Sequence, residues 1–405
     1  MAPYFLDKVI FGHSHFKDKA MWKKLAVASI LLLVTGLWYL PYGLEGQFNR
    51  VIAHAPYSIS NQASRLHSEL NIMDWHADTL LWKRAITDRV SRGHVDLSRL
   101  QQGNVALQML TVVTKSPSGQ NYERNGADSD RITSLVVAQR WPVRTWNSLY
   151  ERALYQAEKL AEAQQDAAGD LIWVRSRDDL QQLMQARQSK ASNPVGVMLG
   201  MEGAHPLEGK IEHVQHFYDA GYRMIGLQHF FDNELGGSLH GVSQQGLTPF
   251  GREVVAELDR LGMLIDVAHS SEQVVRDVLA QTQRPIVVSH TGFKGLCDTP
   301  RNISDELMQA IAAKGGIIAI GYWPAAVCDT SPSGIASMLK YGIELVGAEH
   351  VALGSDFDGS VVTALDTSEL AAITQALLDL QVSEAQIAQV MGQSSLNFLF
   401  TMLPE

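Results

Sequence analysis

Eight short, almost continuously apolar segments recur along the chain after residue 70, and helical patterns separate them. Such segments are typical of parallel β-strands that are covered on both faces. Eight strand–helix units in succession predict an α/β fold, a (β/α)8 barrel of the TIM type. A doubly wound open sheet is the alternative, but no glycine-rich phosphate loop follows the first strand. The predicted strands span residues 71–78, 105–113, 195–203, 224–231, 264–270, 286–290, 316–323 and 351–357.

The helical segments between these strands carry start and stop signals. The clearest begins with Thr248 as an N-cap and Pro249 in the first turn, and Gly262 ends it. The segment 115–193 is longer than one crossover needs, and it holds a polar loop and two helical stretches. We interpret it as an elaborated connection, so that one barrel domain occupies residues 71–400.

An uncharged apolar stretch, residues 25–44, precedes the barrel. At about 20 residues it is long enough for a helix to cross a bilayer. Lysines lie just before it and aromatic residues at its far end, as in membrane anchors. We therefore predict a short cytoplasmic tail (1–24), a transmembrane signal-anchor helix (25–44), a linker (45–70) and an extracytoplasmic barrel, periplasmic if the source is bacterial. A cleaved signal peptide and a buried core helix are the alternatives, but no clear small-x-small cleavage site follows the apolar core.

Charge and cysteine content limit the partners and the compartment. The net charge of −10 argues against a nucleic-acid binder, which usually has a basic surface. Cys297 and Cys328 are too few for a disulfide scaffold, and they form either one bridge or two buried thiols. Since disulfides persist in oxidising spaces, the compartment decides between these alternatives.

Ionisable residues stand at the ends of most predicted strands. In a barrel the C-terminal ends of the strands meet at one rim, where active sites lie. Each of these residues alone has an ordinary explanation as a hydrogen-bonded strand-end side chain. Their convergence on one rim predicts a metal site. The residues are His76, Asp78, Glu202, His229, His269, His290, Asp356 and Asp358.

Imidazole and carboxylate groups without thiolates make up the predicted ligand set. This chemistry suits zinc, with manganese, iron or cobalt as alternatives. A single catalytic zinc normally takes three protein ligands, so five candidates favour two divalent ions that share a bridging carboxylate. Sites of that kind are built for hydrolysis. The five candidate ligands are His76, Asp78, Glu202, His269 and His290.

Several motifs resemble those of the membrane dipeptidase (renal dipeptidase) family, metal-dependent barrel enzymes of the amidohydrolase type. Two long blocks, LTPFGREVVAELDRLGMLIDVAHSS and VVSHTGFKGLCDTPRNISD, are specific to that family. The shorter matches follow the family's order over most of residues 71–400. They are DWHADTL, VDLSRLQQGNVALQ, GMEG, LQHFFDN and ALGSDFDG.

The resemblance implies a metallo-dipeptidase acting on dipeptides with a free C-terminal carboxylate. It implies that His76 and Asp78 bind one metal ion, that His269 and His290 bind a second, and that Glu202 bridges the two.

The resemblance also implies roles for residues outside the ligand set. His229 would face the substrate as a candidate oxyanion donor, Arg301 would hold the substrate carboxylate, and Asp356 would handle protons. The family's disulfide matches Cys297 and Cys328, which suits an extracytoplasmic location.

Some features depart from the family pattern. Ala77 stands where the family often has asparagine, and the loop 114–125 is unlike the usual one, so the substrate preference stays open. Animal members are held by a C-terminal lipid, but this sequence ends without such a signal. We therefore expect the N-terminal helix to be the tether.

Two other functions compete with the dipeptidase hypothesis. A related two-metal hydrolase would act on a lactone, a cyclic amide or a peptide-derived secondary-metabolite precursor, and the fold alone does not exclude it. Arg301 discriminates between the two hydrolase hypotheses, because a carboxylate clamp has no use on a substrate without a carboxylate. A non-catalytic binding protein would have lost a ligand or Asp356, and none is missing. The oligomeric state is open, with a homodimer as one option.

Overall fold

The computed structural model describes residues 14–189 and 193–405. Within these residues the chain forms eleven strands. They are β1 (Arg50–Val51), β2 (Ile72–Ala77), β3 (Val105–Val113), β4 (Leu171–Trp173), β5 (Val195–Glu202), β6 (Tyr222–Gly226), β7 (Leu264–Asp266), β8 (Val287–Thr291), β9 (Ile317–Ile320), β10 (Val351–Leu353) and β11 (Val362–Thr363).

Eight of the strands close into a parallel barrel. The order is β2, β3, β5, β6, β7, β8, β9 and β10, and β10 pairs with β2 to complete the ring. Every residue of these strands is buried, which explains why their sequences are apolar without alternation. The predicted (β/α)8 barrel is confirmed.

The sequence did not indicate strand β4, nor the two-residue strands β1 and β11 that pair with each other. Strand β4 is the one of these that joins the main sheet. It lies beside the start of β5, with Leu171 opposite Val195, and adds an extra strand outside the ring. Three residues between two helices are too short for a recognisable strand pattern.

Most of the helices surround the barrel and bury one face against it. Thr248 caps α8 by accepting a hydrogen bond from the Gly251 amide, and Gly262 ends it in the left-handed conformation, φ +72°. The helices are α1 (Ser14–Phe48), α2 (Asn61–Glu69), α3 (Leu97–Gln102), α4 (Arg131–Ala138), α5 (Leu149–Asp166), α6 (Arg177–Gln188), α7 (Glu212–Asp219), α8 (Pro249–Leu261), α9 (Glu272–Gln281), α10 (Asp305–Ala313), α11 (Pro324–Val327), α12 (Pro332–Val346), α13 (Ala371–Asp379), α14 (Glu384–Ala388) and α15 (Ser394–Met402).

The apolar N-terminal stretch lies in helix α1. In the described part of the chain no single helix has both the length and the apolar character to cross a membrane, whereas the segments 21–36 and 38–48, bent by 42° relative to each other, meet these criteria as a pair. The predicted tail lies partly outside the described residues, which begin at position 14. The boundaries at 24, 44 and 70 stay a prediction.

Candidate metal centre

The barrel brings the five predicted ligands together at the C-terminal rim. His76 lies near the end of β2, with Asp78 just beyond it. Glu202 is the last residue of β5, and His290 lies in β8. His269 follows β7, and all five side chains are buried.

One oxygen of Glu202 lies at the centre of three imidazoles. Its Oε1 atom is 3.1 Å from His269 Nε2, 3.3 Å from His290 Nε2 and 3.5 Å from His76 Nε2. A carboxylate surrounded in this way can hold a cation from one oxygen and bridge to a second cation with the other.

The His76 Nε2 atom also faces the predicted ligand Asp78 and the neighbouring Asp356. It is 3.5 Å from Asp78 Oδ1 and 3.9 Å from Asp356 Oδ1. His229 Nε2 lies 3.4 Å from the other oxygen of Glu202. Three sets with ligand atoms within 4.8 Å of one another result, namely His76–Glu202–His290, Glu202–His229–His269 and His76–Asp78–Asp356.

A serine and an aspartate behind the imidazoles fix the orientation of two of them. Ser289 Oγ donates its only proton to Asp266 Oδ2 at 2.6 Å, so it can only accept from its other neighbours. His76 Nδ1 at 3.2 Å and His290 Nδ1 at 3.0 Å must therefore carry hydrogens. Their Nε2 atoms, which face Glu202, are left to bind a cation through their lone pairs.

Neither Ser289 nor Asp266 was predicted as a site residue. The available signal was Asp266, a carboxylate within an otherwise apolar strand, which needs a buried partner. The sequence does not show which partner that is, because the residues lie on different strands.

The carboxylates of the cluster repel one another when no cation is bound. Burial and the Asp78 charge raise the pKa of Glu202 well above its usual range. Burial together with Asp78 and Asp74 raises the pKa of Asp356 to about 8, although His76 and Arg301 oppose the shift.

The imidazoles respond to the same surroundings. Burial favours the neutral form of His76, but the charges of Glu202, Asp78 and Asp356 prevail and raise its pKa to about 10. In contrast, burial lowers the pKa of His269 well below its usual range.

These observations test whether the residues fit a divalent cation. His76 Nε2 is buried, and none of the described residues is its hydrogen-bond partner. Buried carboxylates whose pKa values are raised lie beside His269, whose pKa is lowered, and a bound cation would favour both the ionised carboxylates and the neutral imidazole. The residues fit divalent metal ions.

Arg301 lies beside the cluster in the loop after β8. It is 1% exposed, its Nη2 atom donates to the His290 carbonyl at 2.6 Å, and its guanidinium lies 5.3 Å from the Trp323 ring. A disulfide between Cys297 and Cys328, with Cα atoms 5.7 Å apart, ties this loop to the segment after β9. The guanidinium is therefore held in place at the rim.

A cavity of about 230 Å³ opens over the cluster, and some of the residues that line it, such as Tyr122 and Trp323, were not predicted as site residues. Tyr122, from the unusual loop after β3, accepts a hydrogen bond from Trp323 Nε1 at 2.8 Å, and burial raises its pKa to about 12. His240 packs 5.4 Å from the His269 ring and donates through Nδ1 to the Tyr122 carbonyl, 2.9 Å away. Since the carbonyl can only accept, His240 Nδ1 carries the hydrogen.

Comparison with curated proteins gives relatives described as dipeptidases. An uncharacterized dipeptidase of Schizosaccharomyces pombe is 26% identical over 314 residues, which are 75% of this chain and 72% of the relative. Dipeptidase aclJ of Aspergillus oryzae is 32% identical over 219 residues, 51% of either chain.

Solved structures show the same fold. A metallopeptidase of family M19 named dipeptidase AC superposes with a TM-score of 0.68 at 21% identity, covering 83% of this chain and 99% of the other. A metallopeptidase from Rhodobacter sphaeroides, liganded with a phosphinate mimic of the dipeptide L-Ala-D-Ala, gives a TM-score of 0.65 at 20% identity, covering 82% and 99%.

The family model of the membrane dipeptidases, peptidase family M19, matches residues 60–400. This match spans the whole barrel and every residue of the buried cluster. The predicted resemblance is confirmed: the chain belongs to the membrane dipeptidase family and is a metallo-dipeptidase, an enzyme that hydrolyses peptide bonds.

Proposed function

We propose that the enzyme uses two zinc ions to hydrolyse dipeptides that have a free C-terminal carboxylate. The observation that carries this proposal is the Glu202 carboxylate, which faces three imidazole Nε2 atoms within 3.5 Å and lies beside a buried arginine. The donor set without thiolates supports zinc.

In this proposal the ligands divide into two groups. His76 and Asp78 hold one ion, His269 and His290 hold the other, and Glu202 bridges them. Thr111 Oγ1 donates to Asp78 Oδ1 at 2.6 Å and so holds this carboxylate in position beside His76. When bound, divalent ions supply Lewis acidity toward the peptide carbonyl and a nucleophile at neutral pH.

Asp356 would move the protons of the reaction. Its carboxylate faces the ligand His76 from 3.9 Å, which places a group that can accept and donate a proton beside the ligand set. We infer that it accepts a proton from the attacking water and delivers it to the leaving amine.

His229 would stabilise the negative charge that develops on the carbonyl oxygen. Its Nδ1 atom lies 3.1 Å from the Lys115 carbonyl and therefore carries a hydrogen, so Nε2 can donate only when the ring is doubly protonated. Burial lowers the pKa of His229 to about 4. The developing oxyanion favours the protonated ring, so this interaction would strengthen in the transition state.

Arg301 would bind the substrate carboxylate. Its Nη2 atom is engaged by the His290 carbonyl, and its Nε atom is buried without a partner among the described residues. A clamp at a fixed distance from the metal ligands selects substrates by length and favours dipeptides. The relatives named dipeptidases, and the neighbour liganded with a mimic of L-Ala-D-Ala, support a dipeptide as the substrate class.

The location belongs to the same proposal. We propose that helix α1 tethers the enzyme to a membrane and that the barrel lies on the extracytoplasmic side. The Cys297–Cys328 disulfide supports an oxidising compartment. Protease treatment of intact and permeabilised cells would test this location. A protease that reaches the extracytoplasmic side should cut the barrel while the cytoplasmic membrane is intact. A barrel that is cut only after that membrane is permeabilised would contradict the proposal.

A substrate screen on the metal-loaded full chain tests the function. The panel contains dipeptides with L- and D-residues, the same dipeptides with amidated C-termini, and lactones and cyclic amides. We expect hydrolysis of free dipeptides and at least about a ten-fold loss with the amides, since a charged hydrogen bond is worth roughly 1.5–3 kcal/mol. Equal rates on free and amidated dipeptides, or turnover of lactones alone, would contradict the proposal.

A further inference from the structure

The last turns of helix α1 are locked onto the barrel by a buried ion-pair network. Glu45 is fully buried, and it accepts hydrogen bonds from Arg84 Nε and Arg92 Nε, each at 2.5 Å. Arg84 reaches further and donates to Asp358 Oδ2 at 2.6 Å. Helix α1 is thereby joined to the segment that carries Asp356.

A second set of contacts fixes the residues just after the helix. Asn49 is buried, and its Oδ1 atom accepts from the Ser360 amide at 2.8 Å. Strand β1 then pairs in parallel with β11, with Arg50 opposite Val362. The chain is held on both sides of Phe48, so the position of that side chain is set by the fold.

Phe48 lies in the wall of the active-site cavity, together with the proposed catalytic and ligand residues Asp78, His229 and Asp356. The residue is only partly covered, at 36% exposed, and the Arg131 guanidinium lies 5.8 Å from its ring. Phe48, Leu81 and Ile132 line both this cavity and an adjoining one, so these three apolar side chains form one part of the wall.

This apolar wall faces Arg301 across the cavity. Leu81 follows β2 and Ile132 follows β3, whereas Arg301 follows β8, which lies directly opposite β3 in the ring and three strands away from β2. A dipeptide whose carboxylate is held by Arg301 therefore directs its N-terminal residue toward Phe48.

We propose that Phe48 is a specificity-determining residue, through which the N-terminal helix contributes an apolar subsite for the side chain of the substrate's N-terminal residue. The inference rests on the proposed dipeptidase function with its carboxylate clamp. It assigns helix α1 a part in substrate selection besides that of a tether, and it predicts a preference for large apolar N-terminal side chains.

The test compares the full-length enzyme with Phe48→Ala on Gly-Gly and Leu-Gly. Loss of the aromatic contact should lower kcat/KM for Leu-Gly by about ten-fold, mostly through KM, since each buried methylene contributes measurably to binding. Gly-Gly, which has no side chain to place, should change by less than about two-fold. An unchanged or increased preference for Leu-Gly overturns the proposal.

Two further variants keep the test decisive. Phe48→Leu retains an apolar contact and should keep most of the wild-type preference for Leu-Gly. It provides the test if Phe48→Ala folds poorly. Ile52→Ala is the matched control, because Ile52 is in the same segment, is 48% exposed and lies outside the cavity wall. If the wild-type enzyme cleaves neither dipeptide, the proposed function fails. If it cleaves both and the Leu-Gly preference survives in Phe48→Ala, only the role of Phe48 fails.

Discussion

The Nε2 atoms of His269 and His290 lie 2.9 Å apart, and they face the same Glu202 oxygen at 3.1 and 3.3 Å. Burial lowers the pKa of both histidines well below the usual range, so both rings are neutral at physiological pH. Two neutral imidazole nitrogens that face one buried carboxylate oxygen are suited to binding a metal ion together with it. Ser289 accepts hydrogen bonds from the Nδ1 atoms of His76 and His290, so the Nε2 atoms of these two rings face Glu202 with free lone pairs.

The first prediction concerns one of these nitrogens. His269→Ala should abolish dipeptide hydrolysis and reduce the bound metal, because alanine supplies no ligand in place of the imidazole. Metal content by elemental analysis and turnover are measured on the same purified sample. His216→Ala, at an exposed histidine of α7, serves as the control. Full metal content and activity in His269→Ala would show that the assignment is wrong.

The second prediction concerns the carboxylate clamp. Arg301→Lys should raise KM for a dipeptide by about ten-fold or more and change kcat less, since lysine lacks the planar fork that binds a carboxylate through two hydrogen bonds. Steady-state kinetics separate the two parameters. Arg276→Lys, a largely exposed arginine on α9, should behave like the wild type. Identical kinetics in Arg301→Lys would remove the clamp from the mechanism.

The sequence predicted the barrel and its rim because both depend on local pattern. Apolar runs of strand length mark β2 and β8. A parallel barrel brings His76 and His290 to the same end, regardless of the length and conformation of the loops. The contacts of Glu45 and Phe48 could not be predicted in this way. Glu45 pairs with Arg84 and Arg92, which lie 39 and 47 positions away in the chain, and the neighbouring Asn49 pairs with Ser360, 311 positions away. No periodicity in the sequence records that docking.

The third prediction addresses the ion-pair network at the base of α1. Glu45→Gln should destabilise the protein by about 3 kcal/mol, because it leaves the buried Arg84 and the partly buried Arg92 short of a countercharge. Chemical denaturation in detergent measures the free energy of unfolding. Glu69→Gln, at an exposed glutamate of α2, should change it by less than about 0.5 kcal/mol. If Glu45→Gln also changes the free energy of unfolding by less than about 0.5 kcal/mol, the ion-pair network does not stabilise the docking of α1 on the barrel.

The last prediction is a pH dependence of stability that originates at Lys159. Its Nζ atom donates to the carbonyls of Leu80 and Trp82, each at 2.6 Å, and burial together with nearby Arg84 lowers its pKa to about 7 from 10.5. Between these two values the unfolded chain binds more protons than the folded one, so the stability contributed at this position rises with pH. Lys159→Met cannot titrate and should lack this rise.

Comparison of the two proteins isolates the effect, because all other groups titrate in both. The free energy of unfolding of the wild type, relative to Lys159→Met, should increase by about 2 kcal/mol from pH 7 to pH 9. Below pH 7 the difference should level off, since Lys159 is then protonated in both the folded and unfolded states. A difference that is constant from pH 7 to pH 9, or that falls, would mean that the Lys159 ammonium stays charged in the fold. The two carbonyl hydrogen bonds would then be the dominant influence on its pKa, in place of burial.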